Sequence, residues 1–241
     1  SVITWGHSFY GGSSSSVASQ LSSGVTRIAS TGSAFAALKS NGSVLSWGNP
    51  NAGANSSAVA NQLSSGVTQI FSNGYAFAAL KADGSVISWG NSNAGGNSSS
   101  VASLLSSGVS KIFATEYAFA ALKADGSVVT WGNTSFGGNS SAVSGPLSSG
   151  VTQLFSTGSA FAALKSDGSV ITWGHSRYGA DSSAVASLLS SGVTQIFSTG
   201  SAFAALKADG SVISWGDSSS GGRSSAVSSL LSSGVIQIFS T

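Results

Sequence analysis

Short apolar runs recur along the chain, separated by small polar turns. In the second copy, Val67–Phe71 is rich in β-branched and aromatic residues, and Ala76–Lys81 follows a polar turn. An Asp83-Gly84 pair then leads into Ser85–Trp89. Short apolar runs bounded by turn residues are typical of strands, and Asp-Gly is a preferred pair for a tight hairpin. The pattern predicts three strands in each copy.

The remainder of each copy is rich in Gly, Asn and Ser. In Ser99–Gly108 two apolar residues, Val101 and Leu105, lie four positions apart, a serine can cap the start and Gly108 can end the segment. This spacing favours a short helix. An irregular outer strand is the alternative.

Tryptophan marks the repeat with a period of 42 residues, at Trp5, Trp47, Trp89, Trp131, Trp173 and Trp215. One hairpin with one added strand cannot bury both of its faces, so the copies must stack. We predict a mainly β repeat protein: a single repeat domain over 1–241, built as a six-unit β-propeller of short three-stranded blades. An open β-rich solenoid or superhelix cut from a longer array is the alternative. The six tryptophans are expected to be structural.

The two ends of the sequence lie inside a repeat. The chain begins at a third strand, Val2–Trp5, and ends after a first strand, Gln237–Phe239. Joining the ends would give a composite sixth unit without its second strand. We therefore expect either one short blade or a window from a longer array.

Composition narrows the range of functions that this chain is expected to have. Charged residues make up 7% of the chain, against about 25% in ordinary soluble proteins, and the basic residues are dispersed. This excludes the clustered basic surface that nucleic acid requires. Cysteine is absent, no apolar run has the length of a membrane span, and the acids occur singly. We expect no metal, no cofactor and no enzyme activity, and an extracellular or cell-surface location.

The segment Ala-Leu-Lys-x-Asp-Gly-Ser-Val-x-x-Trp-Gly occurs at 79–90, 121–132, 163–174 and 205–216. It resembles the repeat of the regulator of chromosome condensation family, in a divergent and shorter form. The resemblance implies a β-propeller. The family's Gly-Gln-Leu-Gly motif after Trp-Gly is missing, and the exchange activity of some members depends on loops not found in this sequence. Only the fold is carried over.

The copies differ most in the loop that follows each Trp-Gly. In a closed propeller these loops share one rim, and copies five, six and one are neighbours. Histidines His7 and His175 are then expected on the same face. The candidate binding rim comprises His7, Phe9, Tyr10, His175, Arg177, Tyr178, Asp217 and Arg223.

These observations favour a non-enzymatic structural or adhesive repeat domain, part of a longer array or filament. The alternative is a propeller that binds a protein or a carbohydrate through the loops after Trp-Gly. An exchange-factor-like regulator is a weaker alternative, by family analogy. The partner is unknown; self-association and a surface protein or glycan are the candidates.

Overall fold

The computed structural model describes residues 1–240 and divides them into two compact units. The first comprises 1–123 and 129–133, and the second comprises 124–128 and the chain from 134 onward.

Each complete copy forms one three-stranded antiparallel sheet, called a blade below, with its strands in chain order. The predicted class, mainly β with repeated three-stranded blades, is confirmed. The strands are β1 Val25–Ser30, β2 Ala34–Lys39, β3 Val44–Gly48, β4 Val67–Ser72, β5 Ala76–Lys81, β6 Val86–Gly90, β7 Val109–Ala114, β8 Ala118–Lys123, β9 Val128–Gly132, β10 Val151–Ser156, β11 Ala160–Lys165, β12 Val170–Gly174, β13 Val193–Ser198, β14 Ala202–Lys207 and β15 Val212–Gly216.

The hairpin between the second and third strands has the predicted Asp-Gly chemistry. In the second blade, the Asp83 carboxylate accepts hydrogen bonds from the Ser85 amide at 2.9 Å and its hydroxyl at 2.6 Å. Gly84 adopts a φ of +76°, and the Val109 amide of the next blade donates to its carbonyl oxygen at 3.0 Å. The turn therefore ends one hairpin and joins it to the following copy.

Alanines of the second strand let neighbouring blades approach closely. In the first unit, Ala34 and Ala36 of the first blade share a buried cluster with Val67, Phe77 and Ala79 of the second. Ala76, Ala78 and Ala79 have an exposed fraction of 0%. A blade therefore buries its apolar side chains against its neighbour, which is how a unit too small for its own core becomes stable.

The Ser-rich segment that precedes the first strand of each blade is partly helical, which the sequence favours over an outer strand, but its helices are short. It contains one α-helix, α1 Ala18–Leu21, and 3-10 helices elsewhere. Serine is a weak helix former, and a single turn is anchored by a buried leucine such as Leu63 or Leu105. The 3-10 helices are Ser15–Val17, Ser57–Val59, Ser99–Val101, Ser141–Val143, Pro146–Ser148, Ser183–Val185, Leu188–Ser190 and Ser225–Val227.

The two ends of the described chain form no strand, so five blades are complete among residues 1–240. Val2 donates one backbone hydrogen bond to the carbonyl oxygen of Leu21 at 3.1 Å, and Trp5 is 83% exposed. The composite sixth unit expected from the sequence thus has no strand in either of its parts. Within the described residues, no helix has the length and apolar character that a membrane crossing requires.

Candidate binding site

The segments after Trp-Gly, called the rim loops below, each form a single 3-10 turn. Asparagine side chains cap the loops of the second and third copies: the oxygens of Asn49 and Asn91 accept from the amides two residues later, both at 2.9 Å. The same role falls to His7 and Asp217 in other copies. The turns are Ser8–Tyr10, Pro50–Ala52, Ser92–Ala94, Thr134–Phe136, Ser176–Tyr178 and Ser218–Ser220.

A tryptophan of the next blade closes each of the first five rim loops. The indole nitrogen of Trp89 donates to the carbonyl oxygen of Gly53 at 2.9 Å, and the ring stacks on Phe77 with centroids 5.2 Å apart. Gly53 has a φ of +106° and leaves no space for a side chain, since an added Cβ would lie 2.5 Å from the Phe77 ring. The pairs are Trp47 with Gly11, Trp89 with Gly53, Trp131 with Gly95, Trp173 with Gly137 and Trp215 with Gly179.

The turn between the first and second strands holds the loop from the other side. The Thr31 hydroxyl donates to the carbonyl oxygen of Ala52 at 3.1 Å, and the Asn49 amide donates to that of Ser33 at 2.9 Å. A rim loop is thus bound to its own blade and to the next one. Its outward side chains can vary without loosening the backbone.

Trp5 differs from the other five predicted structural tryptophans. The others are buried, whereas Trp5 is 83% exposed. A ring partner and a glycine acceptor at the usual spacings would both precede position 1. The repeat pattern places a tryptophan at this position in every copy, but the burial of each tryptophan depends on contact with the rim loop that precedes its blade.

In the second unit, four predicted rim residues come together. The Arg177 side chain, 68% exposed, donates from Nε to the Asp217 carboxylate at 2.6 Å. The ring of Tyr178 lies 4.9 Å from that of His175, and the Arg177 guanidinium lies 6.0 Å from the Tyr178 ring centroid. Two consecutive rim loops therefore share one charged and aromatic cluster.

Asp217 is the anchor of that cluster and is only 7% exposed. Hydrogen bonds from the hydroxyl of Ser219, from Arg177 and from the Ser219 amide lower its pKa to about 2. The carboxylate is therefore ionised at neutral pH and holds Arg177 across the two loops.

The remaining predicted residues form separate contacts. In the first unit, the ring of Tyr10 lies 5.1 Å from His7 and 5.5 Å from Phe9. Arg223 does not join Arg177 but donates to the Ser225 hydroxyl at 3.1 Å. The shared face of His7 and His175 concerns the two units together and stays a prediction.

The two histidines differ in whether their side chains cap the rim loop. Nδ1 of His7 accepts from the Phe9 amide at 3.2 Å, whereas Nδ1 of His175 is buried and has no hydrogen-bond partner among the described residues. Between residues 1 and 240, no group of three His, Asp or Glu side chains could hold a metal ion.

The first unit also contains a polar groove between two rim loops that sequence reasoning did not identify. It has a volume of about 410 Å³. The capping oxygens of Asn49 and Asn91 are used within the loops, and the side chains of Asn51 and Asn93 are exposed to solvent. The groove is lined by Pro50, Asn51, Gly90, Asn91, Ser92 and Asn93.

A pair of tyrosines was also missed. Tyr75 and Tyr117 stack with ring centroids 4.9 Å apart, and the Tyr117 hydroxyl donates to that of Tyr75 at 3.2 Å. The sequence does mark these two tyrosines as unusual, because the equivalent residues of the other copies are serines, namely Ser33, Ser159 and Ser201. A spacing of one repeat places two such residues on adjacent blades.

No protein-family model matches the sequence, and a comparison with curated proteins gives no match. Solved structures do show similarity. Yeast RCC1 (Prp20), solved with Kap60 bound, is 17% identical with a TM-score of 0.49, over 80% of this chain and 56% of that one. Human WBSCR16 is 20% identical with a TM-score of 0.49, over 80% and 61%.

A plant protein is also among these structures. The ectodomain of the receptor kinase CR4 of Physcomitrella patens is 16% identical with a TM-score of 0.46, over 80% of this chain and 50% of that one. The present chain thus spans about half to three fifths of the length of these structures. Yeast RCC1 is thus among the solved structures to which this chain is similar.

Proposed function

We propose that this chain is a non-enzymatic repeat scaffold that binds a neutral carbohydrate in the groove between its rim loops. The observation that carries the proposal is the pair of exposed side-chain amides of Asn51 and Asn93 in the lining of one groove of about 410 Å³. A primary amide both donates and accepts hydrogen bonds, which matches the hydroxyl groups of a sugar. Concave sites with a few convergent polar groups are the usual form of small-ligand sites.

The framework supports this role. The Asn49 and Asn91 caps, and the Trp89 bond to Gly53, fix the backbone of the groove before any ligand arrives. A preformed site loses little conformational entropy on binding. A chain with 7% charged residues has little long-range attraction for charged partners, which also favours a neutral ligand.

An array of immobilised neutral oligosaccharides tests the proposal with the full chain. We expect binding to at least one glycan class, and loss of that binding in the Asn51→Ala/Asn93→Ala double variant. The exposed Asn61, which lies outside the groove, provides the matched control Asn61→Ala. No binding by the wild type, or unchanged binding by the double variant, would reject the proposal.

A second candidate is an extracellular structural or adhesive role within a longer array. Its support is the recurrence of the same blade-to-blade packing within each unit, since identical interfaces suit extension by repetition. Negative-stain microscopy of the purified chain distinguishes the two roles. Filaments are expected for the structural role, and dispersed single particles would argue against it. Exchange-factor-like activity stays a prediction.

A further inference from the structure

Tyr75 and Tyr117 occupy the same turn position in consecutive copies of the first unit. Their rings are inclined by only 21°, with centroids 4.9 Å apart and hydroxyl oxygens 3.2 Å apart. Aromatic pairs in this arrangement attract one another, and the hydroxyl bond adds to that attraction. The two phenols are therefore held face to face at the surface.

Backbone contacts fix both turns. The Gly74 amide donates to the carbonyl oxygen of Glu116 at 3.2 Å, which ties the two turns directly. The Asn91 amide donates to the Tyr75 carbonyl oxygen at 3.0 Å, and the Asn133 amide donates to that of Tyr117 at 3.0 Å. The ring contact thus rests on ordered backbone rather than on two flexible side chains.

The fold does not require these two residues. Serine occupies the equivalent position in three other blades, where the same turns form. Tyr75 is 36% exposed, whereas Tyr117 is half-buried and packs against the apolar cluster of the second and third blades. The pair is therefore open to an oxidant on the Tyr75 side, although the turns of the other copies form without it, which suggests a chemical use.

We propose that Tyr75 and Tyr117 form an oxidative cross-linking site, joined as dityrosine by hydrogen peroxide acting through a haem peroxidase. Each phenol loses one electron and one proton. The two tyrosyl radicals then form a carbon–carbon bond between ring positions adjacent to the hydroxyls, and the hydrogen on each joined carbon moves to its phenol oxygen. The two electrons and two protons reduce one hydrogen peroxide to two waters.

The cross-link would join two blades covalently. It closes a loop of one repeat, 42 residues, in the unfolded chain. Closing a loop removes conformations from the unfolded state, as a disulfide does, so the cross-linked chain is expected to melt at a higher temperature. A chain without cysteine would thereby gain a covalent staple by another route.

To test the proposal, the full chain is treated at low concentration with hydrogen peroxide and a peroxidase. We expect a monomeric product that has lost two hydrogen atoms, dityrosine fluorescence, and one cross-linked peptide containing positions 75 and 117. Tyr75→Phe and Tyr117→Phe should each abolish the product while keeping the ring. The matched control Tyr10→Phe/Tyr178→Phe should retain it.

A rescue variant tests whether position alone explains the reaction. Ser33 precedes Tyr75 by one repeat, and the Gly32 amide donates to the Gly74 carbonyl oxygen at 2.9 Å, as in the next pair of turns. Ser33→Tyr combined with Tyr117→Phe should therefore cross-link between positions 33 and 75. The proposal is overturned if the wild type yields only intermolecular product, if Tyr117→Phe reacts as the wild type does, or if the folded rescue variant does not react.

Discussion

At the scale of single residues, the rim loops depend on one backbone conformation. Gly53 combines a φ of +106° with a position against the Phe77 ring. Both constraints exclude a side chain, and the carbonyl oxygen of this residue is also the acceptor for Trp89. The residue thus determines the loop's conformation and its attachment to the next blade.

Gly53→Ala is expected to destabilise the chain by about 1–3 kcal/mol, because alanine is strained in the left-handed conformation and its Cβ would displace the Phe77 ring. Thermal or urea unfolding measures the change. Gly145→Ala is the matched control, since Gly145 has a φ of −58° and an added Cβ meets no atom within 4 Å. Equal destabilisation by both variants would contradict the account.

The pKa of Asp217 gives a pH prediction. Because its pKa falls from 3.8 to about 2 on folding, its contribution to stability is complete above pH 3.8 and is lost as the pH falls through about 2. Ser219→Ala and Arg177→Ala should each raise this pKa, because each removes a hydrogen bond to the carboxylate. An NMR titration of the carboxyl group follows both. A pKa unchanged in both variants would show that these contacts do not exist in solution.

The pKa of Tyr117 gives a second pH prediction, at alkaline pH. The hydrogen bond to Tyr75, followed by burial and the nearby charges of Tyr75 and Glu116, raises its pKa from 10.0 to about 12. A raised pKa means that this group's contribution to stability is complete below pH 10 and is lost as the pH rises through about 12. Tyr75→Phe should return the pKa toward its ordinary value in an ultraviolet titration. An unchanged titration would contradict the stacked, hydrogen-bonded pair.

At the scale of elements, the blade and its hairpin could be predicted from sequence. Alternating apolar runs and the Asp83-Gly84 turn act locally, so β5 and β6 follow from adjacent residues alone. Contacts one repeat apart could not be placed in the same way. The sequence places Arg177 and Asp217 near one another only in so far as consecutive loops are neighbours, and it does not show that Tyr75 and Tyr117 stack.

The repeated lysines show the same limit. Lys81 lies beside the hairpin turn in the sequence, but its Nζ donates to the carbonyl oxygen of Gln62 at 3.1 Å. The partner lies at the end of the preceding helical segment, where cations and donors satisfy free carbonyl groups. Sequence gives the residue type but not which loop folds back beneath it.

Between elements, the tryptophan bond is the contact most open to test. Trp131→Phe keeps an aromatic ring but leaves the carbonyl oxygen of Gly95 without its buried donor, so a loss of about 1–3 kcal/mol is expected. Trp5→Phe, at an 83% exposed position, should change stability little. Unfolding curves of the two variants decide the point. Similar losses from both would mean that the bond does not join the blades.

At the scale of the molecule, each unit builds its blades with the same set of contacts. An apolar cluster of alanine, valine and phenylalanine joins the first and second blades in one unit, and its counterpart joins the fourth and fifth in the other. Stability in such proteins comes from the interfaces between neighbouring copies. Function is then left to the residues that these interfaces do not use, in the rim loops and the tyrosine turn.

The exchange of tryptophan indole protons tests this account most directly. Five indole nitrogens donate to glycine carbonyl oxygens, and the sixth belongs to the exposed Trp5. In hydrogen–deuterium exchange followed by NMR, we expect five slowly exchanging indole protons and one fast one, assigned by Trp5→Phe. Six protons that exchange at similar rates, or a fast proton that persists in Trp5→Phe, would contradict the stacked, tryptophan-joined blades.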